Sequence, residues 1–171
     1  KGSKVLGKIR YNGRLKNIVT REIYRIRKEF GRGYTRRWGC TLSMLLICEG
    51  CIHIWNVGDS HIYRGRKGRY KLLTRDDVWN GMLTKCIGSF EWQGVSYRKG
   101  YIGQKDFLLV CSDGFYRKLT TAELGNVMNA RIFNEEQADK LLREVALRLR
   151  ARGEKDDISV ILIKAGKEIN K

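Results

Sequence analysis

Histidine and long apolar segments are both scarce in this 171-residue chain. Its two histidines are His53 and His61, which are too few for a zinc site built mainly from imidazoles. No apolar run approaches the roughly 18 residues of a membrane-spanning helix, so we expect no membrane partner. The chain also lacks internal repeats and low-complexity tracts. With 42% hydrophobic residues, it is predicted to form one globular domain.

The cysteines do not form a pattern typical of disulfides. There are five, an odd number, and most lie in apolar segments, which favours reduced core thiols and a cytoplasmic protein. Cys48 and Cys51 form a C-x-x-C motif, but Glu49-Gly50 between two apolar segments predicts a tight hairpin turn. A structural zinc site needs a second pair of ligands, and no other pair has suitable spacing.

Acidic residues are fewer than basic ones, 18 against 35, which gives a formal charge of +17. Much of the excess lies in residues 1–37, where tyrosines are interleaved with the basic residues. This arrangement is compatible with a basic nucleic-acid binder. A solvated basic face explains the same charges more simply, so nucleic-acid binding is our third hypothesis.

Hydrophobic periodicity predicts an α/β (α+β) fold. A helix is predicted over residues 15–30, a shorter one over 120–128, and a third from Asn134 to a stop at Gly153. Strands that are apolar on both faces indicate a sheet covered on both sides, and tight turns indicate antiparallel pairing. The predicted strands cover residues 41–48, 51–57, 62–64, 69–73, 95–102, 107–111 and 158–163.

Three aspartates stand at the ends of apolar strands, where an unpaired carboxylate is unfavourable. Asp59 and Asp113 each follow such a strand, and Asp156 precedes the last one. If the fold brings them together, the carboxylates repel one another, and a hard divalent cation removes that penalty. We therefore predict an all-oxygen site for Mg²⁺ or Mn²⁺. Each aspartate capping a turn or a helix is the alternative interpretation.

Six short motifs occur along the chain in a fixed order: Gly39-Cys40-Thr41, Val57-Gly58-Asp59-Ser60, Leu73-Thr74-Arg75-Asp76, residues 83–88 (LTKCIG), Ser112-Asp113-Gly114 and residues 156–160 (DDISV). Their sequences and order resemble those of the metal-dependent protein Ser/Thr phosphatases of type 2C. The resemblance extends from about residue 15 to residue 164.

The resemblance implies two antiparallel sheets packed face to face, with helices outside and two or three Mn²⁺ or Mg²⁺ ions at one end. It implies that Asp113 and Asp156 bind the metal pair and that Asp59 belongs to a third, weaker position. A water between two metals then attacks phosphoserine or phosphothreonine in a protein substrate. Four residues receive less definite roles beside these ligands: Ser60, His61, Gly114 and Asp157.

The chain also departs from the family pattern. The Asp-Gly-x-Gly-Gly motif, whose Asp bridges two metals in the family, is not found, and the sequence corresponds to the family pattern from near its second helix onwards. Only residues 78–81 stand where the family usually has a flap subdomain. Asp77 replaces a histidine of the family pattern, and His61 replaces an arginine. We therefore expect a basic lead-in (1–14), a partial phosphatase-like domain (15–165) and a tail (166–171).

Two functional hypotheses thus rank above nucleic-acid binding. The first is a metal-dependent protein phosphatase. The second is a pseudophosphatase, a binding module that keeps the fold without complete metal ligation. The sequence predicts neither the particular substrate nor the oligomeric state.

Overall fold

The computed structural model describes residues 14–30, 39–88 and 94–166. The predicted lead-in before Arg14, the tail after Gly166 and the helix end at Gly31 and Gly33 lie outside these residues. The elements within them are α1 (Arg14–Phe30), β1 (Leu42–Cys48), β2 (Cys51–Val57), β3 (His61–Arg66), β4 (Arg69–Leu72), β5 (Val78–Trp79), β6 (Met82–Leu83), β7 (Ser96–Tyr101), β8 (Phe107–Cys111), α2 (Asp113–Tyr116), α3 (Thr121–Met128), α4 (Glu135–Ala151) and β9 (Val160–Lys164).

The strands form two main sheets and a small hairpin. One sheet has the order β1-β2-β7, the other β4-β3-β8-β9, and β5 pairs with β6. Every one of these pairs is antiparallel, as predicted. The two main sheets pack through a core shared by both, which contains Ile52, Ile54, Ile62, Leu73 and Leu108.

Helices cover the outer face of each sheet. Ile23 of α1 packs on Trp55 and Val57, while α3 and α4 cover the four-stranded sheet through a core that includes Val127 and Leu149. Each fully buried large side chain contributes about 1.5–3 kcal/mol before entropy is subtracted. The result is a four-layered α/β sandwich, which confirms the predicted fold class. No helix in the described ranges is long and apolar enough to span a membrane.

The C-x-x-C segment is a hairpin turn, as predicted. Cys48 and Cys51 are the paired ends of β1 and β2. Glu49 and Gly50 both have positive φ, at 49° and 70°, which is the backbone of a two-residue turn that matches strand twist. None of the five cysteines, all of which lie in the described residues, forms a disulfide.

The predicted strand over residues 62–64 is too short, because β3 extends from His61 to Arg66. Gly65 lies within β3, paired with Tyr70 and Phe107, and the turn is formed by Lys67 and Gly68. A Cβ at Gly65 would lie 3.0 Å from the carbonyl oxygen of Met128, so this glycine lets α3 approach the sheet closely.

Polar side chains cap the starts of α3 and α4. Thr120 and Glu123 form a complete capping box at the start of α3. At α4, Asn134 Oδ1 accepts a hydrogen bond from the Gln137 N–H at 2.9 Å. The reciprocal bond is absent because the Gln137 side chain accepts from the N–H of Phe133 instead, also at 2.9 Å.

Candidate functional site

The topology brings three aspartates to one end of the four-stranded sheet. The strand β8 lies between β3 and β9 and runs antiparallel to both, with Cys111 opposite His61 on one side and Val160 on the other. The residues before β3, after β8 and before β9 therefore share one edge. We call the group formed there by Asp59, Asp113 and Asp156 the carboxylate rim.

Asp113 and Asp156 both form ion pairs with the guanidinium of Arg117. The Nη2 of Arg117 lies 2.5 Å from Asp113 Oδ2, and its Nη1 lies 3.4 Å from Asp156 Oδ2. Arg117 follows Asp113 by four residues, the spacing at which helical side chains meet. Its side chain is 51% exposed, so solvent weakens both ion pairs.

Backbone contacts fix the loop that carries Asp156. Gly114 packs so closely that a Cβ there would lie 2.5 Å from the carbonyl oxygen of Asp157. Ser112 donates its hydroxyl hydrogen to that same carbonyl at 2.9 Å. Glu154 Oε1 accepts the N–H of Asp156 at 3.0 Å, and this bond is the main cause that lowers the pKa of Glu154. The Asp157 side chain is exposed.

Asp59 is the most buried member of the carboxylate rim, at 8% exposure. Burial, followed by the negative charge of Asp113, raises the pKa of Asp59. Its backbone is held on both sides, because the Gly58 N–H donates to Asp77 Oδ2 at 2.9 Å and the Tyr116 hydroxyl donates to the Asp59 carbonyl at 3.0 Å. Asp77 in turn pairs with the buried Lys85 at 3.1 Å.

His61 faces Asp76 and two tyrosines. Its Nε2 lies 2.8 Å from Asp76 Oδ1, its Nδ1 lies 2.6 Å from the Tyr63 hydroxyl, and its ring stacks on Tyr116 at 3.6 Å. Burial lowers the pKa of His61, against the opposing effect of Asp76, so we assign the neutral ring with Nε2–H donating to Asp76. Ser60 lies next to it, and its carbonyl accepts a hydrogen bond from Ser43 at 3.0 Å.

The carboxylates of the rim are suitable ligands for a hard divalent cation, but they do not form a complete site. Among the described residues, no group of three or more His, Cys, Asp or Glu side chains forms a ready metal site. Asp113 and Asp156 nevertheless share one cation, Arg117. Mg²⁺ is commonly held by one or two carboxylates and keeps several waters, so this pair fits such an ion where Arg117 moves aside.

Sequence reasoning missed three residues that shape the rim: Tyr116, Arg117 and Glu154. Arg117 could have been found from its spacing to Asp113, had a helix been predicted there. The helix α2 has only four residues, which is too short to show an apolar period. No sequence signal marks Glu154, because its carboxylate acts on backbone N–H groups of the next two residues.

Comparisons with known proteins agree on one family. A protein phosphatase 2C family model matches residues 9–162. A search of curated proteins gives no match.

Solved bacterial structures share the fold. PppA, a key regulatory component of T6SS in Pseudomonas aeruginosa, is 24% identical with a TM-score of 0.73, over 90% of this chain and 69% of that one. The S. agalactiae serine/threonine phosphatase is 21% identical with a TM-score of 0.78, over 92% and 73%. The catalytic domain of the phosphatase PstP, in complex with two manganese ions, is 19% identical with a TM-score of 0.71, over 88% and 69%.

Proposed function

The chain belongs to the protein phosphatase 2C family, and from that premise we propose that it hydrolyses phosphoserine and phosphothreonine in proteins with the help of Mn²⁺ or Mg²⁺. The observation that carries the proposal is the convergence of Asp113 and Asp156 on one cation. The family match and a manganese-bound structural relative support it.

In this proposal Asp113 and Asp156 hold the metal pair, and Asp59 contributes to a third position. A bound ion supplies an acidified water and neutralises phosphoryl oxygens. The chain's own contribution is to fix the rim: Tyr116 holds the backbone of Asp59, and Glu154 holds that of Asp156.

Arg117 has a second role in the proposal. Because it is half exposed, its guanidinium can leave the two carboxylates and donate to phosphoryl oxygens. A bound metal ion would then balance the two carboxylates, and Arg117 would balance the substrate phosphate.

We further propose that residues 15–165 form the phosphatase-like domain, flanked by a basic lead-in (1–14) and a tail (166–171). Phosphorylated proteins are the proposed substrates. The lack of a disulfide among the five cysteines supports a reducing, cytoplasmic location.

A specific observation favours a second candidate, a pseudophosphatase that binds phosphoproteins without hydrolysis. Arg117 already supplies the positive charge between Asp113 and Asp156. If it stays there, the carboxylates are neutralised without a metal ion. The protein would then keep the fold but lack an activated water.

Phosphate release from a phosphothreonine peptide, measured on the full-length protein with and without Mn²⁺, tests the first candidate. We expect Mn²⁺-dependent release that is lost in Asp113→Asn and Asp156→Asn. Asp139→Asn is the matched control, because Asp139 forms an exposed ion pair with Arg143 on α4. Absence of release with either Mn²⁺ or Mg²⁺ contradicts the first candidate. Two tight Mn²⁺ sites in a calorimetric titration contradict the second.

A further inference from the structure

A concave, strongly basic surface lies at the other end of β3 from the carboxylate rim. It has a volume of about 680 Å³ and is lined by Arg64, Arg66, Lys67, Arg69, Tyr70 and Lys71, which we call the basic groove. Since β3 has six residues, its two ends lie about 17 Å apart. The volume is in the range of ligand sites, which hold roughly 300–1,000 Å³.

The groove places like charges directly opposite one another. In the register of β3 and β4, Arg64 faces Lys71 and Arg66 faces Arg69. Like charges at facing positions destabilise a strand pair. Asp106 pairs with Arg64 and Arg66 and offsets part of this cost, and an anion in the groove would offset more of it. This arrangement is different from scattered surface charge, which has no such cost.

One buried carboxylate orients the two arginines of β3. Asp106 accepts Arg64 Nε at 3.0 Å, and Arg66 Nε and Nη2 at 2.7 and 2.8 Å. Asp106 thus engages both Nε and Nη2 of Arg66, whereas Arg64 Nη2 lies 2.9 Å from Asp106 Oδ2 without forming a hydrogen bond. Within the described parts of the chain, no carboxylate forms an ion pair with Lys67, Arg69 or Lys71.

The aromatic residue of the groove is not arranged for stacking on nucleic-acid bases. Tyr70 meets Tyr63 edge to face, with an interplanar angle of 75°, and its hydroxyl donates to the Thr121 carbonyl at 3.1 Å. Proteins that bind single strands place successive bases on aromatic faces. A narrow anionic chain without bases, in an extended conformation, fits these cations better.

We propose that the basic groove binds an acidic peptide segment of a partner protein, in which carboxylates or phosphates supply closely spaced negative charges. Arg64 and Arg66 give guanidinium groups oriented by Asp106, and Lys67, Arg69 and Lys71 give exposed positive charge. This binding does not depend on the proposed hydrolysis, because it uses none of the carboxylate rim.

Fluorescence anisotropy of labelled probes on the full-length protein tests the proposal. The probes are an acidic peptide of Asp and Glu, a peptide of equal length with phosphoserines, a neutral peptide and a single-stranded oligonucleotide. We expect both anionic peptides to bind, with affinity that falls as salt rises. Tighter binding of the phosphoserine peptide would show that phosphate is the preferred anion, and equal binding would show that charge density alone decides.

The double variant Arg69→Glu, Lys71→Glu should weaken peptide binding about tenfold, a change of ~1.4 kcal/mol. Because the new glutamates would face Arg66 and Arg64, its thermal unfolding midpoint should stay equal to or rise above the wild-type value. The matched control is Arg14→Glu, Lys140→Glu, which makes the same charge change at exposed positions of α1 and α4.

Equal weakening in the two double variants would overturn the proposal, since it would indicate attraction by net charge alone. Tighter binding of the oligonucleotide than of either anionic peptide, lost in the groove variant, would overturn the peptide as occupant. Both results leave the test of phosphate release unaffected, because that test depends on Asp113 and Asp156.

Discussion

The carboxylate rim and the basic groove lie at opposite ends of β3 and have opposite charge arrangements. At the rim, one guanidinium, Arg117, lies between Asp113 and Asp156. In the groove, one carboxylate, Asp106, lies between Arg64 and Arg66. The two central groups differ in burial, because the side chain of Asp106 is 1% exposed and that of Arg117 is 51% exposed.

This difference separates a structural ion pair from a replaceable one. Removing one partner of a buried pair leaves an uncompensated charge and costs about 3–5 kcal/mol, whereas an exposed pair contributes about 0–1 kcal/mol. Asp106 therefore holds Arg64, whose side chain is 13% exposed, in a structural ion pair. Arg117 is replaceable in two ways. A metal ion can take its place at the carboxylates, and a phosphate can bind its guanidinium more strongly than they do.

The largest expected effect comes from Asp106→Ala, which removes the buried carboxylate that pairs with Arg64 and Arg66. Arg64, whose side chain is only 13% exposed, would lose its partner, and the N–H of Gly103 would lose its acceptor. We expect the free energy of unfolding to fall by about 3–5 kcal/mol in urea denaturation. Asp139→Ala, which breaks an exposed pair, should cost less than about 1 kcal/mol. Similar losses in the two variants would contradict the distinction.

The next effect is expected from Gly114→Ala, which disturbs the rim through the backbone. The added methyl group would lie 2.5 Å from the Asp157 carbonyl oxygen and would push the Asp156 loop away from α2. Overpacking of this kind costs about 1–3 kcal/mol. Calorimetry should also show weaker Mn²⁺ binding. Gly125→Ala on α3, where a Cβ makes only an ordinary contact, is the control and should not destabilise the protein.

A smaller effect on stability, but an informative one on binding, is expected from Arg117→Met. Loss of two half-exposed ion pairs should change the free energy of unfolding by less than about 1 kcal/mol. Mn²⁺ affinity, measured by calorimetry, should rise because the competing cation is gone. A fall in Mn²⁺ affinity would show that Arg117 supports the metal site and does not compete for it.

The smallest expected effect concerns Glu123, which pairs with Arg152 at the protein surface. The Arg152 guanidinium is the main cause that lowers the pKa of Glu123 to about 2. Since the folded-state pKa lies below the usual value of 4.5, the pair stabilises the protein above pH 4.5 and loses this effect as the pH falls towards 2. The unfolding midpoints of wild type and Glu123→Gln should therefore converge over that interval. A constant difference between them would contradict the assignment.

Elements with a clear apolar pattern could be predicted from the sequence. The predicted strand over residues 107–111 has the bounds of β8, and α1 begins within one residue of its predicted start. The pattern was less informative for burial, because Ile18 and Ile26 on the apolar face of α1 remain 45% and 39% exposed. Short elements without a period, such as α2, could not be predicted in the same way.

By itself, the sequence determined the layered α/β class, the antiparallel pairing and the family, because apolar periodicity and ordered motifs are local properties. Only the tertiary structure decided which charges meet. Arg117 bridges Asp113 to Asp156, and Asp106 joins Arg64 to Arg66, across 39 to 42 positions of the chain. Such contacts depend on strand register and on burial, which sets the strength of each ion pair, and neither can be derived from residues considered one segment at a time.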